Sequence, residues 1–285
     1  MNFIRILKDG KSQVIKDEAF FTLLNNTLPN IDKSIRELIS EFDTEVSKID
    51  KTVTKDALNN VHGDWYEWLL AIEAWNYCAD HEKANLAILT PNISQFDVAK
   101  LYNNRLFSLI QDLREKVLIS SSVQLISSNP DFVIIDRKLV NKIFPKIERI
   151  NFIDKSSLTV IENAFRHFIN QCDFEDIFGY ISVKTSFRPD RRLQIPHEGS
   201  LMKAIYTHLQ TREWIINPKG LMYFAIATKV GTPDRAALKT VATHSITTVH
   251  SIPQAAVDEV YEVNSLRQAQ EAFAQILHAS PKSVS

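Results

Sequence analysis

An α/β (α+β) protein with one mixed central β-sheet flanked by helices is what this sequence predicts, and three observations predict it. Phe132-Val133-Ile134-Ile135 is a continuous apolar run of the kind that fills a central strand. Between Tyr180 and Lys184, Ile181 and Val183 alternate with Tyr180, Ser182 and Lys184, the period of a half-buried strand. Long amphipathic helical stripes lie among such strands without strict alternation of strand and helix.

Taken in order, residues 1–60 read as a mostly helical region packed on the rest, with Ile31, Ile35, Leu38, Ile39, Phe42, Val46 and Ile49 on one stripe. A second helix is expected from His62-Gly63-Asp64 to about Ala79, apolar nearly all round through Trp65, Trp68, Leu69, Leu70, Trp75 and Cys78. Glu67 has two readings there. It is the partner of an Asp64 cap, three residues on, or a carboxylate turned inward with Leu70, Ala71, Ala74 and Cys78. Asn85–Leu89 reads as a short strand. Ser94 to Lys116 reads as a helix starting at Ser94-x-x-Asp97, with Val98, Leu101, Tyr102, Leu109 and Leu113 inside. Val123–Ile126 reads as a strand broken by Ser127-Ser128-Asn129-Pro130, and Ser156 to Cys172 as a helix. A strand over 177–187, a helix over 197–210, β-rich stretches at Leu221–Thr228 and Thr240–Val249, and a last helix from Ser265-x-x-Gln268 complete the chain. Residues 280–285 read as a frayed tail. No stretch rich in Pro, Gly or Ser divides the 285 residues, so one domain is expected.

The formal net charge of −1 carries no global field for nucleic acid. Locally, Lys184, Arg188, Arg191 and Arg192 stand against Asp190 alone, a focused basic patch suited to a cleft. Cys78 and Cys172 sit among apolar neighbours and read as core residues, and no Cys/His spacing suggests zinc. With no apolar run of membrane-spanning length and no signal-peptide pattern, a soluble, cytoplasmic chain is the default reading.

Three residues carry candidate chemistry. Asp131 opens a buried strand, Lys184 lies on a second strand, and Glu198 falls on an inward helical stripe with Leu201, Ile205 and Leu209. If the two strands are neighbours, two carboxylates and an ammonium converge at a sheet end. Oxygen ligands suit Mg²⁺ bound beside a phosphate, and the implied chemistry is phosphodiester hydrolysis. Singly, each has a plainer role: Asp131 in a turn, Lys184 solvated, Glu198 facing a helix dipole. Arg188 and Arg191 share a face if helical, and arginine is the commonest bidentate reader of guanine in the major groove. Asp190 between them can accept from cytosine amino groups. The plainer reading is a solvated Arg/Asp cluster.

These residues bear a resemblance. Pro130-Asp131, Ser182-Val183-Lys184, Arg188-Pro189-Asp190-Arg191-Arg192-Leu193-Gln194 and His197-Glu198-Gly199-Ser200-Leu201 resemble the type II (IIF-like) restriction endonucleases that cleave purine-CCGG-pyrimidine, within the PD…(D/E)XK nuclease superfamily. The likeness extends to Gly63-Asp64-Trp65-Tyr66-Glu67-Trp68, to His208–Arg212 and to Lys239–Thr247. It implies a restriction-endonuclease-like fold in which Asp131 and Glu198 bind Mg²⁺, Lys184 assists the attacking water and Glu67 completes a second metal site or its surroundings. It further implies that Arg188, Asp190 and Arg191, with Arg192 beside them, contact double-stranded DNA at the CCGG core. Cleavage after the purine would leave 5′-phosphate ends with four-base 5′ overhangs. Ser182 stands where the superfamily has an acidic residue, and in this subgroup Glu198 takes that part. Such enzymes are homotetramers of two dimers, which makes Trp214, after Arg212, a candidate interface residue; its alternative is a core aromatic. A palindromic site by itself asks for at least a homodimer. Two other functions compete: a catalytically silent DNA-binding or assembly protein, and a structure-specific nuclease.

Overall fold

A computed structural model describes residues 3–7, 10, 12–91, 96–126, 129–247 and 252–279. The chain begins with a small antiparallel hairpin, β1 (Ile4–Ile6) against β2 (Ser12–Val14), then α1 (Lys16–Leu23) and α2 (Ile35–Ile49). The Ser34 hydroxyl caps α2 by accepting the Glu37 N–H at 3.3 Å. Ile35, Leu38, Phe42 and Val46 turn inward, whereas Ile49 is exposed. The expected stripe is therefore present, but the mostly helical N-terminal region also holds two strands. Three residues are too few to show a period.

The second helix, α3 (Lys55–Asp80), starts nine residues before Asp64. Its cap is Thr54, which accepts the Ala57 N–H at 3.2 Å. Gly63 suggested a start but lies mid-helix, where a glycine costs about 1 kcal/mol relative to alanine and a long helix absorbs it. Asp64 caps nothing, and the capping reading of Glu67 is corrected. α3 packs on β3 (Leu86–Leu89), and its Trp65 and Trp68 rings meet Phe42 and Phe20 edge-on at 4.9 and 5.2 Å.

Beyond β3 the expected long helix divides. A 3₁₀ turn over Val98–Leu101 precedes α4 (Asn104–Ser121), which Asn103 caps. The expected start at Ser94 lies outside the described residues. Leu106 and Ile110 are the buried positions of α4, and Leu109 and Leu113 are only half-buried. Val123–Ile126 forms no strand: Ser122 leaves α4 in a left-handed conformation (φ 55°), and Ile126 is 74% exposed.

β4 (Phe132–Ile135) follows Asp131, then α5 (Arg137–Ile143) and α6 (Lys155–Asn163), which hands over to a 3₁₀ turn at Ala164–Phe168 rather than running to Cys172. Next come β5 (Ile177–Lys184), α7 (Pro189–Arg212), β6 (Met222–Ala227), α8 (Thr232–Leu238), β7 (Glu259–Glu262) and α9 (Leu266–Ile276). α5, α8 and β7 are additions to the expected elements. Thr240–Val249 is not a strand over its described part; it makes one bridge, Val241 to Ala255, and a 3₁₀ turn at Thr243–Ile246, while 248 and 249 lie outside the described residues. The expected frayed tail at 280–285 is likewise outside them. Cys78 and Cys172 are buried, as expected.

The five main strands form one mixed sheet in the order β3-β4-β5-β6-β7, antiparallel at β3/β4 and β4/β5 and parallel thereafter. This is the expected fold class, a mixed sheet with helices around it. Gly179 is required where β5 and β6 approach, because a Cβ there would lie 2.6 Å from the Met222 carbonyl oxygen. Among the described residues, no helix is long and apolar enough to cross a membrane.

Candidate active site

The antiparallel pairing of β4 with β5 creates the site. Phe132 lies opposite Ile181, so Asp131, one residue earlier, comes level with Ser182 at the sheet end. Its Oδ2 accepts from the Val183 N–H at 2.5 Å, the Lys184 Nζ at 2.9 Å and the Ser182 hydroxyl at 3.4 Å. The turn before it is held by Asn129, which accepts the Val98 N–H at 2.9 Å and donates to the Phe96 carbonyl, and by Thr90, whose hydroxyl donates to the Pro130 carbonyl. Asp131 is thus a fixed carboxylate, and Lys184 is ion-paired instead of solvated.

Glu67, three turns into α3, reaches the same charges. Burial first, and then the negative charge of Asp131, push its carboxyl up to about 8, with Lys184 pulling the other way. The unfolded chain ionises this group near its ordinary 4.5, so between these two values unfolding releases a proton that the folded state keeps. Stability from this group accordingly falls as pH rises through that window. Replacing Glu67 by Gln in chelator-treated protein should therefore leave Tm unchanged near the acid end and raise it progressively toward pH 8. A Tm gap between the two proteins that stays constant with pH in scanning calorimetry would refute this.

Glu198 is deeper than a helix-start residue. α7 begins at Pro189 and runs through Pro196, so Glu198 lies in its third turn, 6% exposed. An interior proline removes a helical hydrogen bond and usually ends a helix, which is why the sequence suggested a start at 197. The dipole reading of Glu198 is set aside by this position. Nor does Lys184 neutralise it: Gln194 Nε2 donates to its Oε1 at 2.6 Å and the Tyr223 hydroxyl to its Oε2 at 3.2 Å. Burial, then the charges of Glu198 and Asp131, push the Tyr223 phenol well up, so it stays protonated and donates. Tyr223 also shares a hydrogen bond with Ser182, which links Glu198 to the Asp131 cluster through neutral groups.

Two devices fix that link. Asp258 Oδ2 accepts both the Tyr223 N–H and the buried Lys203 ammonium, each at 2.7 Å, and Lys203 also donates to the Ala255 carbonyl at 2.8 Å. One turn N-terminal to Lys203, Gly199 lets α7 touch the Ala256 carbonyl, into which any Cβ would collide. Among the described residues, no three Asp, Glu, His or Cys side chains are gathered tightly enough to hold a metal by themselves. Asp131, Ser182 and Lys184 meet directly, Glu67 meets them electrostatically, and Glu198 joins through Tyr223.

The basic patch splits. Arg188 occupies the N-cap position of α7 without a side-chain cap, and Asp190 lies between it and Arg191, at 4.0 and 3.5 Å, with Arg188 and Asp190 exposed. Arg192 differs: its Nε donates to buried Asp234 at 2.6 Å, bracing α7 against α8, so it is a strut and not a free guanidinium. Arg212 ties α7 to α4 through Asp112 at 2.6 Å. Trp214 is 89% exposed, which excludes the core alternative. Sequence reasoning missed Tyr223 and the spatial roles of Gln194 and Asp258; the only signal was Tyr223 sharing a face of its strand with Ala225 and Ala227.

A family model described as Cfr10I/Bse634I restriction endonuclease matches residues 1–279. The chain is 44% identical over 246 residues to the type II restriction enzyme Cfr10I of Citrobacter freundii, covering 85% of each. Among solved structures, the type IIF restriction endonuclease Bse634I with cognate DNA matches at a TM-score of 0.88 and 30% identity, over 97% of this chain and 98% of that one. A second Bse634I structure matches at 0.87 and 30%, over 98% of both.

Proposed function

Because this chain belongs to the Cfr10I/Bse634I restriction endonuclease family, and is therefore a type II site-specific DNA nuclease, we propose that it cleaves double-stranded DNA at purine-CCGG-pyrimidine in a Mg²⁺-dependent reaction. The family generally uses divalent metal ions. Cleavage after the purine gives 5′-phosphate ends with four-base 5′ overhangs. The observation that carries this reading is Asp131 fixed at the sheet end by Lys184 and the Val183 N–H, beside a second carboxylate whose proton affinity is raised.

The donor set fits Mg²⁺. All are hard oxygens, and Mg²⁺ is content with one or two carboxylates, completing its shell with water and phosphate. Two neighbouring carboxyls that resist joint ionisation are a place where a cation lowers the energy. Asp131 and Glu67, with Glu198 when its neutral partners yield, are the residues that would hold it. When bound, the ion polarises the phosphoryl group and acidifies water. Lys184 offers an ammonium to the attacking water and to charge developing on the phosphoryl oxygens. Ser182 keeps Asp131 and Tyr223 in register. Water adds to phosphorus as the bond to the 3′ oxygen breaks.

Arg188, Asp190 and Arg191, presented on the first turn of α7, are the residues we assign to the C·G core. Support for duplex DNA as partner comes from the exposure of Arg188 and Asp190, with Arg191 half-buried beside them, and from the match to Bse634I with cognate DNA. The chain acts as one endonuclease unit and as a homodimer doubled to a tetramer. Support for the second contact comes from Trp214 and Ile216, both bare beyond α7. Incubation with Mg²⁺ and DNA of known sequence, followed by mapping of the ends, tests the whole reading. Ends at any site other than purine-CCGG-pyrimidine, or blunt ends, would overturn it.

A further inference from the structure

Gln194 joins two groups to which the proposed function gives separate tasks. Its Oε1 accepts from Arg191 Nη1 at 2.6 Å, and its Nε2 donates to Glu198 Oε1 at 2.6 Å. With Tyr223 on Oε2, both oxygens of Glu198 are already engaged. Arg191, Gln194 and Glu198 stand three and then four residues apart on α7, so one helix face carries the chain of contacts from the DNA-facing turn to the buried carboxylate. Each of these two donors competes with a cation for the lone pairs of the carboxylate, so losing one strengthens its hold on the cation.

A guanidinium that grips a guanine edge commits two N–H groups to it in a fixed fork. For Arg191 that draws the fork away from Gln194, whose exposed amide is then tethered at one end only, by Glu198. Gln194 is then free to leave Glu198.

We propose that Gln194 is a positioning residue that couples base reading to the catalytic centre: without DNA, Arg191 pins it on Glu198, and capture of guanine by Arg191 releases that carboxylate. This rests on the assignment of Arg191 to DNA and of Glu198 to the ion. Any wrong base at this position leaves the clasp shut, so discrimination is exercised at the chemical step as well as in binding.

The test uses the full chain without DNA and Mn²⁺ as the probe, titrated by calorimetry. Gln194→Ala and Arg191→Ala should each bind Mn²⁺ about fivefold more tightly than the wild type. Arg191 does not touch Glu198, so a merely structural part for it would not move this number. Arg188→Ala removes the same charge from the same turn without touching Gln194 and should leave Mn²⁺ affinity unchanged. Gln194→Ala should also keep its grip on a purine-CCGG-pyrimidine duplex in EDTA, yet cut duplexes with one altered base pair more readily. Wild-type Mn²⁺ affinity in Arg191→Ala, an equal gain in Arg188→Ala, or loss of cognate duplex binding in Gln194→Ala overturns the coupling. If Glu198→Ala binds Mn²⁺ as the wild type does, the underlying assignment of Glu198 fails, a result distinct from failure of the clasp alone.

Discussion

Lys184→Ala is expected to lower cleavage of a cognate duplex by about 10²- to 10³-fold, the range for removing one preorganised charged or donating group from a reaction centre. Binding of the same duplex should persist. The fold has reason to survive, because Asp131 keeps the Val183 N–H and the Ser182 hydroxyl on its Oδ2. Lys184 is also the stronger of two cations, ahead of Lys16, that lower the proton affinity of Glu67 while Asp131 raises it, with burial the larger cause. Its removal makes the pocket more negative, so divalent cations should bind as well as before or better. Activity and metal affinity then move in opposite directions, which separates a missing chemical group from a damaged site. Asp131→Ala should lose both together. Single-turnover cleavage alongside Mn²⁺ titration measures the difference, and wild-type plasmid cutting by the Lys184 variant would remove this centre from the mechanism.

How far the site could be read from the chain alone follows from the range of each signal. Asp131 and Lys184 were legible because each adjoins a strand whose own pattern is strong, Phe132–Ile135 by unbroken apolarity and Tyr180–Lys184 by alternation. That those strands are antiparallel neighbours is a fact of pairing, and no local period encodes it. Glu198 was placed on the right face, but Pro196 masked the two turns of α7 before it. Gly63 hid the true start of α3 in the same way, and with it the reason Glu67 cannot be a cap. Arg192 shows the limit of reading charge runs: three neighbouring arginines look alike until Asp234, forty-two residues on, claims one. Tyr223 and Asp258 were out of reach because a buried polar group declares itself only through partners distant in sequence.

Substituting Arg188 by Ala should cost about 1–3 kcal/mol of discrimination between the cognate duplex and one with a changed core C·G pair, and Arg191→Ala about the same. Both side chains leave the first turn of α7, and Asp190 at 4.0 and 3.5 Å orients them without holding them tightly. Exposed pairs of this kind are worth little to stability, so both variants should keep the wild-type Tm. The alternative, that these arginines hold phosphates, makes a different prediction. A lost phosphate contact weakens all duplexes alike and lowers the slope of log affinity against log salt by about one. A lost base contact leaves that slope nearly intact and brings the affinities for cognate and altered duplexes together. Titrations of each variant against both duplexes at several salt concentrations, in EDTA, distinguish the two. Uniform weakening with a reduced slope would move the reading of the C·G core to other residues. Arg192→Ala should instead lower Tm without changing the ratio between duplexes, since its guanidinium braces Asp234 and the start of α8.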